Sequence, residues 1–195
     1  ENICLTVVGS RKFTHYGKDA CESLIEGLKG YPITIISGLA LGIDTLAHET
    51  ALRVGLQTIT FPGSGLDPKV LYPRSNFGLA QEIVDHGGGV ISEFPHNTKS
   101  AIWTFPARNR LMAGLSKAVL IIEAEEKSGT LITARMALDY NRDVLVVPGP
   151  IFSDTSKGTN MLLKHGGTPI SSSADILEAL GLEKRSELQV PNYTD

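Results

Sequence analysis

The sequence predicts an α/β fold, an extended Rossmann-like three-layer sandwich whose mostly parallel sheet carries helices on both faces. Three observations support that prediction. Short, nearly continuous apolar runs rich in β-branched residues recur along the chain. A stretch of helical period separates most of them from the next, and glycine, serine and proline gather directly after the strands. Apolar strands without alternation are buried on both faces, which is the condition of a parallel sheet covered by helices.

The elements follow in order. A first strand is expected at 3–8, reading Ile-Cys-Leu-Thr-Val-Val, and a helix at 20–28. Strand 33–36 precedes helix 45–54, and strand 58–61 precedes helix 79–85. Strand 90–92 leads to helix 109–115, strand 118–122 to helix 131–140, and strand 144–147 to helix 161–165. A short run at 168–170 and a helix at 174–180 end the pattern. Right-handed crossovers are the default for such an order. Beyond Leu182 the text becomes Glu183-Lys184-Arg185-Ser186-Glu187 and loses periodicity, so the domain is expected at 1–182 and a linker or tail at 183–195.

With 195 residues, 42 % of them hydrophobic, the chain is long enough for one well-packed domain. Its longest apolar run, 118–122, is strand-sized, which excludes a membrane span by length. It begins at Glu1 without a signal-peptide pattern and reads as a piece of something longer. Cys4 and Cys21 match no zinc spacing and are expected as small buried residues, in keeping with a reducing cytoplasm. The formal charge of −3 excludes a broadly basic nucleic-acid binder, so any anion site must be local.

In a parallel sheet the strands' carboxyl ends share one edge, and ligands bind there. That edge holds Gly9-Ser10-Arg11-Lys12, Ser37-Gly38-Leu39-Ala40, Pro62-Gly63-Ser64-Gly65, Ser92-Glu93-Phe94-Pro95, the loop from Ala124 to Thr130, and Pro148-Gly149. Glycine-containing turns followed by a helix start aim backbone N–H groups at an anion. Ser37-Gly38 and Ser128-Gly129-Thr130 have this form, and Arg11 and Lys12 add charge. Which anion binds stays open at this level. Gly9-Ser10-Arg11 and Gly63-Ser64-Gly65 both fail the dinucleotide fingerprint, and no phosphate-binding P-loop occurs. Pro106 suits a helix start, placing Arg108 and Arg110 in the first turns, where an anion would relieve their misfit with the helix dipole. Trp103 or Phe105 then stands where a base would stack. No catalytic constellation is evident. Asp44 and His48 share a helix face but read as capping or packing residues, and Glu93, Glu123, Glu125 and Glu126 read as solvated or salt-bridged. No metal site and no cofactor is expected.

Several segments together resemble one family. Ser37-Gly38-Leu39-Ala40-Leu41-Gly42-Ile43-Asp44 with Ala47-His48, Gly63-Ser64-Gly65-Leu66-Asp67, Tyr72-Pro73 with Asn76, and Ser92-Glu93-Phe94-Pro95 come first. Phe105-Pro106-Ala107-Arg108-Asn109-Arg110, Ser128-Gly129-Thr130, Val147-Pro148-Gly149 and Gly158-Thr159-Asn160 follow in order. The set is similar to the DprA (Smf) family of DNA-processing proteins and runs from about Val7 to about Leu182. The resemblance implies a cytoplasmic, homodimeric protein that binds single-stranded DNA, protects incoming DNA in natural transformation and helps load the RecA recombinase. It implies a DNA-binding set of Gly9, Ser10, Arg11, Lys12, Ser37, Gly38, Leu39, Ala40, Phe105, Arg108, Asn109, Arg110, Lys127, Ser128, Gly129 and Thr130. In that set Ser37 and Gly38 offer backbone and hydroxyl donors, and Lys127 to Thr130 supply a second anion-binding turn. Members often carry flanking helical and winged-helix domains, so this chain resembles the central domain alone. Two other functions compete with this one. A nucleotide phosphoribohydrolase of the lysine-decarboxylase-like type needs a glutamate where Thr133 stands. A self-association or partner-docking module would use the apolar faces of 161–165 and 174–180, and is compatible with DNA binding.

Overall fold

A computed structural model describes residues 2–183. Seven strands form one sheet: β1 (Ile3–Val8), β2 (Ile33–Ser37), β3 (Gln57–Thr60), β4 (Gly89–Val90), β5 (Ala118–Ile121), β6 (Asp143–Val146) and β7 (Thr168–Pro169). Between and after them come α1 (His15–Glu26), α2 (Ile43–Val54), α3 (Phe77–Asp85), α4 (Thr104–Leu115), α5 (Thr130–Asp139), α6 (Lys157–Lys164) and α7 (Ser173–Ala179). The order across the sheet is β4-β3-β2-β1-β5-β6-β7, and every pairing is parallel. The fold is thus the predicted Rossmann-like α/β class, with the expected mostly parallel sheet wholly parallel among the described residues.

Strand side chains alternate between two helix-covered faces, which explains the unbroken apolar runs. Leu5, Val7, Ile33, Ile35, Leu120 and Leu145 pack under α1, α2 and α7. Val8, Ile36, Val119, Ile121, Val144 and Val146 pack under α4, α5 and α6 on the other face. Cys21 is buried and Cys4 half-buried, both as free thiols. Among the described residues no helix is long and apolar enough to cross a membrane.

Element ends differ from the sequence reading for local reasons. α1 starts at His15 rather than at 20 because Thr14 caps it, its hydroxyl accepting the Gly17 N–H at 3.2 Å. α4 begins at Thr104, so Pro106 sits inside the first turn, where its missing N–H has no intrahelical partner to lose. β4 is two residues long. After Ile91 donates to the Thr60 carbonyl, the Ser92 hydroxyl turns onto the Ser64 carbonyl instead. The tail expected at 183–195 lies outside the described residues except for Glu183.

One topological feature positions the site. From β1 the chain steps outward through β2, β3 and β4, and α4 then brings it back to lay β5 on the other side of β1. The loops leaving β1 and β5 therefore run to opposite faces, and a crevice opens between them at the carboxyl edge.

Candidate functional site

A cleft of about 490 Å³ occupies that crevice, within the range of small-ligand sites. Gly9, Ser10, Arg11 and Lys12 line it from the β1–α1 loop, and Ala40 and Asp44 from the β2–α2 connection. Phe105, Arg108, Asn109 and Met112 come from α4, and Glu125, Ser128, Gly129, Thr130 and Thr133 from the β5–α5 connection. Arg11 and Lys12 are exposed at its mouth.

Arg108 forms the floor. It is only 5 % exposed. Its Nη1 donates to the carbonyls of Gly38 and Phe61, and its Nε donates to Asn109 Oδ1 at 2.8 Å. One guanidinium thereby ties α4 to the ends of β2 and β3. Burial lowers its pKa to about 10, with Asp44 opposing the shift and Arg11 adding to it, so it stays charged at neutral pH. Burial pushes the Asp44 carboxyl above its ordinary range, against the pull of Arg108 and the N–H groups of Ala40 and Gly38.

The turn around Asp44 is tightly fitted. Leu39 adopts φ 60°, a left-handed conformation that a leucine holds only when its surroundings enforce it. Its side chain is fully buried beside Leu71, Ala80 and Ile83. The turn aims the N–H groups of Gly38 and Ala40 at Asp44 Oδ2, at 3.0 and 3.4 Å. Gly42, at φ 91°, lies so close to the Ser10 carbonyl and Arg11 Cα that a Cβ would overlap them. The Ile43 N–H donates to the Ser10 carbonyl at 3.1 Å. These contacts fix the backbone that carries Arg11.

The structure brings most of the predicted residues together and removes several from the roles expected of them. Ser37 is the last residue of β2, fully buried, and its hydroxyl donates to the Val7 carbonyl at 2.7 Å, so it offers nothing to a ligand. The Gly38 N–H is engaged by Asp44, and the Leu39 side chain is core. The first glycine turn is therefore already occupied by the protein's own Asp44 carboxyl group. The second is engaged in part: the Thr130 N–H goes to Ser128 Oγ at 3.2 Å and the Leu131 N–H to the Ser128 carbonyl at 3.1 Å, while Gly129 still lines the cleft. Arg110 lies outside the cleft and pairs with Glu93. Lys127 is exposed but does not line the cleft. Trp103, 62 % exposed, packs edge-on against Phe94 rather than over the cleft. With Gly38 and Ala40 engaged by Asp44, the exposed charge of the cleft comes from Arg11 and Lys12.

Asp44 is the capping residue the sequence suggests, its carboxyl closing its own loop at a helix start. Glu123 is neither solvated nor salt-bridged. It is 2 % exposed and accepts from the Thr14 N–H at 2.9 Å, the Thr14 hydroxyl at 2.6 Å and the Thr155 hydroxyl at 3.0 Å. It thus fastens the start of α1 to the turn before α6. Asp44 and His48 do not converge: His48 is fully buried, with Nδ1 2.7 Å from Thr58 Oγ1. Thr58 Oγ1 already donates to the Ile35 carbonyl, so His48 Nδ1 carries the proton of that pair.

The family of DNA recombination-mediator protein A matches residues 1–181. Protein Smf of Escherichia coli is 42 % identical over 176 residues, 90 % of this chain and 46 % of that one. The structure of DNA processing protein A from Streptococcus pneumoniae superposes with a TM-score of 0.83 at 39 % identity, covering 91 % of this chain and 61 % of that one. The Helicobacter pylori protein, whose structure concerns its single-stranded DNA binding mode, superposes at 0.82 with 34 % identity, covering 91 % and 80 %. The chain spans about half the length of the curated relatives it matches, 46 % and 60 % for the Escherichia coli and Streptococcus pneumoniae proteins.

Proposed function

The chain belongs to the DNA recombination-mediator protein A family, and from that premise we propose that its β1/β5 cleft binds single-stranded DNA. The observation that carries this reading is the convergence of Arg11, Lys12 and Arg108 with the Phe105 ring in one nucleotide-sized cleft. Cations beside a half-buried aromatic ring suit unpaired nucleotides, since phosphates need charge and bases need a flat apolar face. A cleft of about 490 Å³ suits one or two nucleotides rather than a duplex. Arg11 and Lys12 meet phosphates, Arg108 holds a fixed positive floor, and Asn109, Ser10, Ser128, Gly129 and Thr130 complete the walls. The single-stranded DNA binding of the Helicobacter pylori relative supports the same reading.

The site is one of binding rather than catalysis. Asp44 is committed to its own loop, and burial, helped by Arg108, pushes His48 down to about 3, leaving a neutral ring behind the floor. Thr133 lines the cleft where a phosphoribohydrolase would need glutamate. Following the family resemblance, residues 1–182 act as one cytoplasmic binding domain that protects incoming strands and delivers them to RecA. Self-association as a homodimer belongs to the same reading.

Titration of labelled oligothymidine and of its duplex at two salt concentrations tests the proposal. Single strands should bind more tightly than duplex, and Arg11→Ala should weaken every sequence alike. Preference for duplex, or an Arg11→Ala protein with wild-type affinity, would sink it.

A further inference from the structure

A second hollow adjoins the cleft and shares Arg11, Ala40, Phe105 and Arg108 with it, adding Leu41 and Tyr72 on its outer side. The geometry points to a second nucleotide subsite here: a shelf of Tyr72 and Leu41 that takes the unstacked base of a nucleotide whose phosphate rests on Arg11. This inference rests on the single-strand reading of the main cleft and extends it along the strand.

The hollow itself offers only about 20 Å³, room for roughly one water, so the base lies over it rather than in it. Tyr72 is 43 % exposed and Leu41 49 % exposed, which leaves apolar surface facing solvent at the rim of a cationic cleft. The rings are already arranged as a platform. Tyr72 packs tilted on Phe105 at 5.8 Å between centroids, and the Arg11 guanidinium stands over the same Phe105 ring at 5.5 Å. Arg11 and the buried Arg108 thus border both hollows, and the exposed Arg11 stands where a phosphate linking two nucleotides would lie.

The shelf is also held in place. The Tyr72 N–H donates to the buried Ser64 hydroxyl at 3.2 Å. The Asn76 amide donates to the Leu39 carbonyl at 2.9 Å and the Thr45 hydroxyl at 2.8 Å, joining the Tyr72 segment to the loop that carries Leu41. A rigid exposed aromatic loses little freedom when a base stacks on it, and stacking tolerates any base because each has a flat face.

The test compares oligothymidine with an abasic oligomer of the same length and phosphate count. Tyr72→Ala should weaken oligothymidine binding about 5- to 150-fold, the equivalent of about 1–3 kcal/mol, while abasic binding stays within about twofold. Tyr72→Phe should bind as wild type, and Leu41→Ala should show a smaller loss on oligothymidine alone. An equal loss on both oligomers, or no loss on either, overturns the shelf while wild-type binding upholds the cleft. Failure of the wild-type protein to bind oligothymidine overturns both. Leu41→Ala gives an independent readout should Tyr72→Ala fold poorly.

Discussion

Replacing Arg108 with alanine should cost this protein its stability before it says anything about ligand affinity. The side chain is only 5 % exposed, and its Nη1 serves two carbonyls, those of Gly38 and Phe61. Truncation leaves both acceptors without that donor, at about 1–3 kcal/mol each where water cannot replace it. It also removes the positive charge that favours ionised Asp44. These contributions overlap, and the adjoining cleft lets water reach part of the vacancy, so about 3–5 kcal/mol is the expected total. With a urea slope near 2 kcal/mol per molar, the unfolding midpoint should fall by about 1.5–2.5 M. The deficit should carry a pH signature. Losing Arg108 raises the folded-state pKa of Asp44 further above its unfolded value. The folded variant then binds a proton more readily than the unfolded chain, and its deficit should be smaller at pH 5 than at pH 8. An Arg108→Ala protein with an unchanged midpoint, or a deficit that grows on acidification, would refute the role of this side chain as a charged strut.

His48 should contribute an acid-sensitive step of opposite sense. Its folded pKa of about 3 lies below the unfolded value of 6.5, so between those values the unfolded chain takes up a proton that the folded one refuses. Stability should fall by up to about 1.4 kcal/mol per pH unit as pH drops through that window, and His48→Gln should unfold with a flatter pH slope between 6 and 4; parallel slopes would contradict this. The salt dependence of oligothymidine binding should be shallow, near −1.4 on logarithmic axes, because Arg11 and Lys12 are the two exposed cations of the cleft and each releases about 0.7 counterion from single strands. Lys12→Ala should bring it to about −0.7, and a wild-type slope steeper than about −3 would place the main contacts elsewhere.

What the sequence makes legible is set by period and what it hides is set by partnership. The runs ending at Val8, Ser37 and Ile121 are apolar on both faces, which is enough to announce a covered parallel sheet and to point at the edge where its loops converge. Glycine after a strand marks a turn that can offer N–H groups, but the letters do not say whether those groups are free. Here Asp44 takes Gly38 and Ala40, and Ser128 takes Thr130, so the first apparent anion nest is satisfied from within and the second in part. That closure shifts the burden of ligand charge onto Arg11 and Lys12, whose backbone is fixed by Gly42 pressing on Ser10 and Arg11. One correction was available from helical geometry alone. Arg108 and Arg110 stand two residues apart, about 200° around a helix, so one faces the cleft floor while the other reaches outward to Glu93. A chain of net charge −3 can therefore hold a polyanion without a basic surface, because it keeps one arginine as a buried strut and leaves two cations where the strand would pass.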